Sequence, residues 1–196
     1  MSADPENEAD CYEFDLKTVT GYRKKILAAP IKDGKAVLEQ LAGQRREEAE
    51  DDDLDWAEEI LGEMEGGYDN CRFSCYWDSD TNMTYPLILA KIPVKNPWDI
   101  FAYLPFGNWN ECPDTPEPMA AAKYWFAESG AVPAAMTHDE LEFELPAPIS
   151  KEKAMEAATE QYGFCPDIVD QEQDDPTVGN LADVLWQSTV WYFWWD

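Results

Sequence analysis

The chain has 196 residues and a formal net charge of −27, with 14 Lys and Arg against 41 Asp and Glu. Phosphate backbones and anionic membrane surfaces are bound through basic residues, so this balance argues against nucleic acid or a membrane as a partner. It favours either a basic protein partner or a role in which the acidity serves only solubility. Hydrophobic residues make up 45% of the chain and nine residues are Trp, which predicts a buried core rather than a disordered chain.

The cysteines and the start of the chain indicate the compartment. Five cysteines, an odd number in a chain of this length, do not resemble a secreted disulfide framework. The opening MSADPENEAD lacks the basic and apolar regions of a signal peptide, and no apolar run approaches the roughly 18 residues that a spanning helix needs. We therefore predict a cytoplasmic protein.

Residues 1–66 are predicted to form an acidic N-terminal extension that is partly helical. CYEFDL (11–16) alternates like a short strand, and AVLEQLAGQRREEAE (36–50) is typical of a helix. DDDLDWAEEILGEM (51–64) predicts a further helix that starts at the acidic cluster and carries one apolar stripe of Leu54, Ala57, Leu61 and Met64. We interpret the acidic run before it as a solvated helix junction.

Residues 67–196 are predicted to form an α+β domain. CRFSCYW (71–77) and YPLILAKIPV (85–94) are typical of strands, and the second is so apolar that we expect it at the centre of a sheet. Asn96-Pro97 predicts a helix start, and EPMAAAKYWFAES (117–129) predicts a second helix that Gly130 ends.

The second half of this domain repeats the pattern. AVPAAM (131–136) and LEFEL (141–145) predict a hairpin whose second strand turns Glu142 and Glu144 away from the core. KEKAMEAATEQYGF (151–164) and NLADVLWQS (180–188) predict two helices, and the aromatic end predicts a last strand. Merging each helix pair into one crossover gives the order βαββαβ. We therefore predict a ferredoxin-like fold, a mainly antiparallel sheet with helices on one face.

The chain ends on STVWYFWWD, with five consecutive aromatic residues at 191–195. A terminal strand inside a sheet buries both faces and need not alternate, so we interpret this segment as the core strand that closes the fold. The alternative is an exposed aromatic surface for a partner, which would form an unusually large apolar patch.

Two long loops carry the candidate functional residues. ECPD lies in the first loop and FCPD in the second, and both loops would lie near one end of the sheet if their crossovers pack on it. Carboxylates and amides there could line a ligand site, with Trp109 stacking on the ligand. The alternative is ordinary loop chemistry, in which Asn, Asp and Pro shape turns and Cys packs as a small apolar residue. The candidates are Trp109, Asn110, Glu111, Cys112, Asp114, Cys165, Asp167, Asp170 and Gln171.

Other chemistries find little support, and no metal or cofactor is predicted. Cys71 and Cys75 are spaced as a zinc pair but lie in a predicted strand, and His138 is the single histidine. DSDTN begins like a calcium loop but lacks the required Gly and Glu that follow. No nucleotide-binding glycine loop or G-x-S-x-G elbow occurs.

Several Trp-rich strings resemble one family. YPLILAKIPVKNPWDIFAYLPFGNWNECP, AAAKYWFAESGAVPAAMTHDELEFELP, EQYGFCPDIVDQ and WYFWWD are similar to the bacterial domain of unknown function 4253 over roughly residues 54–196. The chain departs from the family pattern at Asn108 and Glu172, where glycines are expected. The resemblance implies a bacterial cytoplasmic protein and supplies no activity.

Charge and missing catalytic motifs favour a non-enzymatic acidic module that binds a basic protein, such as a toxin held by an immunity protein. The alternative hypothesis is an enzyme or small-ligand-binding protein that uses the two Cys-Pro-Asp loops.

Overall fold

The computed structural model describes residues 16–78, 81–172 and 174–196, and the chain forms an α+β fold. The helices are α1 (Leu16–Ala28), α2 (Gly34–Asp51), α3 (Pro116–Ser129), α4 (Lys151–Phe164), α5 (Asp167–Asp170) and α6 (Val178–Leu185). A π-helical turn spans Trp56–Leu61 and a 3-10 helix spans Pro97–Ala102. The strands are β1 (Trp77–Asp78), β2 (Met83–Thr84), β3 (Val132–Met136), β4 (Glu140–Glu144) and β5 (Val190–Trp194).

The main sheet has the order β3-β4-β5, and both pairings are antiparallel. Leu141 lies opposite Phe193, and Phe143 lies opposite Trp191. Strands β1 and β2 form a separate short hairpin. The predicted hairpin at residues 131–145 is therefore confirmed, and the aromatic end of the chain adds a third strand beside it.

The core is built on the aromatic face of β4 and β5. Trp125 of α3 stacks on Phe193, with ring centroids 5.4 Å apart and planes 14° apart. The same indole meets Phe143 and Phe164 edge-on at 5.5 and 5.3 Å. Because Phe164 ends α4, helices α3 and α4 both cover this face of the sheet. Edge-to-face and offset aromatic pairs of this kind stabilise beyond the area that they bury.

The prediction that the aromatic end closes the core is confirmed. Trp191, Phe193 and Trp195 are almost completely buried, while Tyr192 and Trp194 are half-buried. In the described sheet β5 is an edge strand rather than the inner strand that we expected, and its side chains at 191–195 alternate between buried and half-buried. Alternation follows from the position of β5, since a strand whose helices cover one face directs every second side chain to the other.

The prediction of a central strand at residues 85–94 is wrong. This segment has no regular secondary structure, and Ile88 and Leu89 are 93% and 100% exposed. Strand β5 pairs directly with β4, so the βαββαβ order of a ferredoxin-like fold is not confirmed. An apolar run predicts burial only if another strand offers it hydrogen bonds, and none of the described strands does.

The N-terminal helices pack on the domain. Leu38 of α2 belongs to the same buried cluster as Trp125, and α2 lies against α3 and α4. The helix predicted at 51–64 is replaced by the π-helical turn, which Asp55 caps by accepting from Ala57 and Glu58 N–H groups at 2.8 and 3.0 Å. The strand predicted at 11–16 lies outside the described residues, apart from Leu16, which begins α1. The division at residue 66 stays a prediction.

Glu142 lies on the opposite face of β4 from Leu141 and Phe143, and this face is not open to solvent there. It is fully buried, and its carboxylate accepts hydrogen bonds from the Ser74 N–H at 2.7 Å and the Ser74 hydroxyl at 3.0 Å. The Cys75 N–H donates at 3.3 Å. The irregular segment around Ser74 therefore covers the second face of the sheet, and the carboxylate anchors it.

None of the described helices is long and apolar enough to cross a membrane.

Removing the central indole tests this core. We expect Trp125→Ala to lower the free energy of unfolding by about 3–5 kcal/mol, because a fully buried ring leaves a cavity among aromatic neighbours. Urea unfolding followed by circular dichroism measures the change. The matched control is Trp77→Ala, since Trp77 is 44% exposed. Equal losses in the two variants would contradict a core centred on Trp125.

The pH dependence of stability tests the second face of the sheet. Desolvation raises the pKa of Glu140, although Tyr192 donates to its carboxylate at 2.8 Å. Folding therefore favours the protonated acid, and its ionised form opposes folding once the pH exceeds the folded-state pKa. We expect Glu140→Gln to raise the urea midpoint at pH 7, with a gain that shrinks as the pH falls through that pKa.

The control for this measurement is Glu144→Gln, which removes one exposed charge from the same strand and measures the general effect of net charge. A gain from Glu140→Gln that stays constant with pH, or that does not exceed the control at pH 7, would show that burial of the Glu140 carboxyl does not oppose folding.

Candidate functional site

The first Cys-Pro-Asp loop, residues 105–115, is a tight backbone turn. Gly107 has φ +91°, and a Cβ there would collide with the backbone oxygen of Pro113, so only glycine fits. Asn108 and Asn110 also have positive φ, 65° and 44°. Asparagine tolerates this region better than other residues with a side chain, which accounts for Asn108 where the family pattern has Gly. Trp109 and Cys112 form an isolated antiparallel bridge across the turn.

The second loop begins where α4 ends. The Cys165 N–H donates to the Gln161 carbonyl at 2.8 Å, and the single turn of α5 follows at once. Asp167 and Asp170 therefore stand three residues apart on one turn of helix, on the same side of it.

The two loops meet at the end of the chain. The Asn110 side-chain amide donates to the backbone carbonyl of Asp196, and the Asp196 N–H donates to the Asp167 carboxylate at 3.0 Å. Phe106 and Phe164, which flank the loops, both pack edge-on against Trp195 at 5.3 and 5.5 Å. The structure thus brings both loops to one end of the sheet.

A basic residue from α2 joins this cluster. The Arg45 guanidinium contacts the Glu111 carboxylate at 2.5 Å and the Glu48 carboxylate at 2.9 Å. Burial raises the pKa of Asp170, while the charge of Arg45 acts to lower it and those of Asp167 and Glu111 to raise it further. We call this group of side chains the acidic end: Glu48, Glu111, Asp167, Asp170 and Asp196, arranged around Arg45.

The cysteines of the two loops, Cys112 and Cys165, are buried beneath the acidic end and have low reactivity. Cys112 and Cys165 are buried and close enough for one to affect the other's ionisation, and the Cys165 thiol donates to the Trp194 carbonyl at 3.0 Å. Burial raises the pKa of both thiols. A thiolate is the nucleophilic form, so neutral buried thiols argue against cysteine catalysis here.

The remaining predicted residues do not line a shared pocket. Trp109 is half-buried against the core, and Asp114 accepts from the Thr115 N–H at 2.8 Å at the start of α3. Gln171 is exposed just after α5. A cavity of about 70 Å³ beside α5 is lined by none of the nine predicted residues. Asn110, Glu111, Asp167 and Asp170 lie on one surface, where Glu111 contacts Arg45 and both Asn110 and Asp167 contact the backbone of Asp196.

Sequence reasoning missed Arg45. It lies 66 residues from Glu111 along the chain, inside a helix whose charges looked uniformly solvated. The only available signal was its position in the chain, since Arg45-Arg46 interrupts a strongly acidic region. Within residues 16–78, 81–172 and 174–196, no group of three or more His, Cys, Asp or Glu side chains is arranged to hold a metal ion.

Fold and loops define an α+β domain that joins two Cys-Pro-Asp loops through a buried aromatic C-terminal strand. The model of the family described as domain of unknown function 4253 matches residues 88–196, more than half of the chain, and the chain belongs to this family. No curated protein and no solved structure matches it.

Thiol labelling tests the geometry of the acidic end. We expect a brief pulse of iodoacetamide on folded protein at pH 8 to alkylate exposed Cys71 and to leave Cys112 and Cys165 unmodified, because both are buried and held as neutral thiols. Peptide mass spectrometry quantifies each site, and labelling in denaturant supplies the full-reaction control. Labelling of Cys165 at the rate of Cys71 would show that the loop is open.

Proposed function

We propose that this chain is a non-enzymatic, bacterial, cytoplasmic module whose acidic end binds a basic protein, in the manner of an immunity protein that holds a toxin. The observation that carries the proposal is the convergence of carboxylates from α2, both loops and the C-terminal residue on one surface around Arg45.

The charges at this end are positioned for association. Glu111 retains 54% exposure of its side chain while bound to Arg45, and Asp170 and Asp196 are exposed. Arg45 holds Glu111 and the Asp196 backbone holds Asp167, so less side-chain entropy is lost when a partner binds. Complementary charges accelerate encounter and select partners, and their effect falls with ionic strength.

The state of the cysteines supports binding over catalysis. Cys112 and Cys165 are the residues in the two loops with nucleophilic chemistry, and both are buried as neutral thiols. Their packing fixes the backbone from which Glu111 and Asp167 project. In this proposal the two loops hold carboxylates at the protein surface, where a partner can contact them.

The second candidate function is a small-ligand-binding protein or enzyme that uses the same loops. It is favoured by one observation, the side-by-side placement of the loops, which leaves Asp167, Asp170 and Gln171 on adjacent positions of one surface. A ligand there would have to bind on an open face, since these three residues do not line the cavity beside α5.

A pair of charge-matched variants tests the proposal. One carries Glu48→Gln, Glu111→Gln and Asp170→Asn at the acidic end. The other carries Glu65→Gln, Glu144→Gln and Glu152→Gln at exposed positions elsewhere and has the same net charge. Each is used, with the wild type, as immobilised bait for lysate of the source cells at low and high salt. We expect a basic protein that wild type and control retain at low salt, that high salt releases, and that the acidic-end variant does not retain.

Equal retention by both variants would show that total charge, rather than this surface, attracts the protein. Absence of any salt-sensitive protein on the wild-type bait would count against a basic partner. Retention of a small molecule by the wild type and not by the acidic-end variant, seen by mass spectrometry of the eluate, would favour the second candidate.

A further inference from the structure

A second cleft lies between α2, α3 and α4, away from the acidic end. It has a volume of about 260 Å³, and Lys35 stands at its mouth. Lys35 precedes Arg45 by ten residues on the same helix, which corresponds to about 15 Å along the helix axis. The cleft and the acidic end are therefore separate regions of the molecule.

The floor of the cleft is a buried carboxylate. Glu160 is 9% exposed, and it accepts from the Tyr124 hydroxyl at 2.9 Å and from the Trp125 indole N–H at 3.2 Å. Both donors are neutral, and no cation in the described part of the chain forms an ion pair with it. Burial raises the pKa of Glu160, and the donors Tyr124 and Trp125 and the charge of Lys35 offset this only in part.

The charges around the mouth are already paired. Lys35 contacts Glu156 at 3.4 Å, and Lys153 contacts Glu128 at 3.2 Å. These two pairs leave Glu160 as the carboxylate of the cleft without a cationic partner. A single positive charge placed on the floor would complete the electrostatic balance of the site.

An unpartnered donor lies beside this carboxylate. Trp191 lines the cleft and is 2% exposed, and its indole N–H has no hydrogen-bond partner in the described residues. Its ring centroid lies 5.8 Å from that of Trp125, the ring that donates to Glu160. A buried N–H without an acceptor is costly, so it indicates a missing acceptor close to the floor.

We propose that this cleft binds a small organic cation, a primary ammonium group with a carbonyl acceptor next to it, as found in an amino-acid amide or at a peptide amino terminus. The ammonium group pairs with Glu160 beside the two donors, Tyr124 and Trp125, that already bond this carboxylate. The neighbouring carbonyl accepts from the Trp191 N–H. The volume equals that of about eight or nine water molecules in the liquid, which suits a ligand of similar atom count.

Three probes separate the parts of this ligand. Glycinamide has the ammonium group and the carbonyl, methylammonium has the cation alone, and acetamide has the carbonyl alone. Each is titrated into the full-length protein labelled with ¹⁵N, and the indole N–H signals of Trp125 and Trp191 are followed by NMR. We expect glycinamide to shift both signals and to bind about tenfold more tightly than either fragment, because it alone makes both contacts.

The source of the ligand is addressed by a fourth probe, glycylglycinamide. Binding at least as tight as that of glycinamide assigns the cleft to a peptide amino terminus, and weaker binding assigns it to a free amine. Both results support the ammonium site. Absence of shifts with glycinamide, or equal binding of glycinamide and acetamide, would overturn the proposal on wild-type protein without any variant.

Two variants locate the contact. Glu160→Gln keeps an acceptor for Tyr124 but loses the charge, so we expect about tenfold weaker binding of glycinamide. Glu128→Gln, on the rim, is the matched control and should change the affinity less than about twofold. Thermal unfolding followed by circular dichroism verifies that both variants fold. Unchanged binding of glycinamide by folded Glu160→Gln would overturn the assignment of the cation to the floor.

Discussion

The contact between Trp125 and the aromatic side chains of β5 determines where the other parts of the molecule lie. The first loop leads into α3, the second follows α4, and the C-terminal residue follows β5. Because Trp125 and Phe164 pack against the same residue, Phe193, all three elements are held together at one end. The convergence of the loops is thus a consequence of core packing, and the surface carboxylates follow from it.

Two fully or nearly buried carboxylates show how a chain of net charge −27 uses some of its acids structurally. Glu142 accepts from backbone and hydroxyl donors of the segment that covers the second face of the sheet. Glu160 accepts from two aromatic side chains of α3. Glu142 is satisfied by the chain itself, whereas Glu160 borders a cleft that is also lined by Trp191, whose buried N–H has no acceptor in the described residues. The buried carboxylates of Glu142 and Glu160 therefore have different roles, although burying either one costs desolvation free energy.

Local patterns predicted much of the secondary structure and little of the pairing between distant residues. The hairpin alternation at 131–145, Gly130 as a helix end and the burial of the aromatic segment all follow from short-range rules, and the structure confirms them. The prediction of a strand at residues 85–94 failed because strand formation depends on a partner strand that no local pattern specifies. The acidic loops were recognisable as candidates, but the pairing of Arg45 with Glu111 depends on how α2 docks on the core.

The repeated Cys-Pro-Asp tripeptide combines a buried cysteine with an aspartate that forms a hydrogen bond to the backbone. Each cysteine turns into the core, where the two thiols lie close together, and each proline restricts the backbone that follows. The two aspartates then differ: Asp114 accepts from the next backbone N–H, whereas Asp167 accepts from the N–H of Asp196. The first bonds Thr115, the N-cap residue of α3, and the second bonds the last residue of the chain. In both loops the tripeptide thus contributes a buried cysteine and an aspartate that accepts a backbone hydrogen bond.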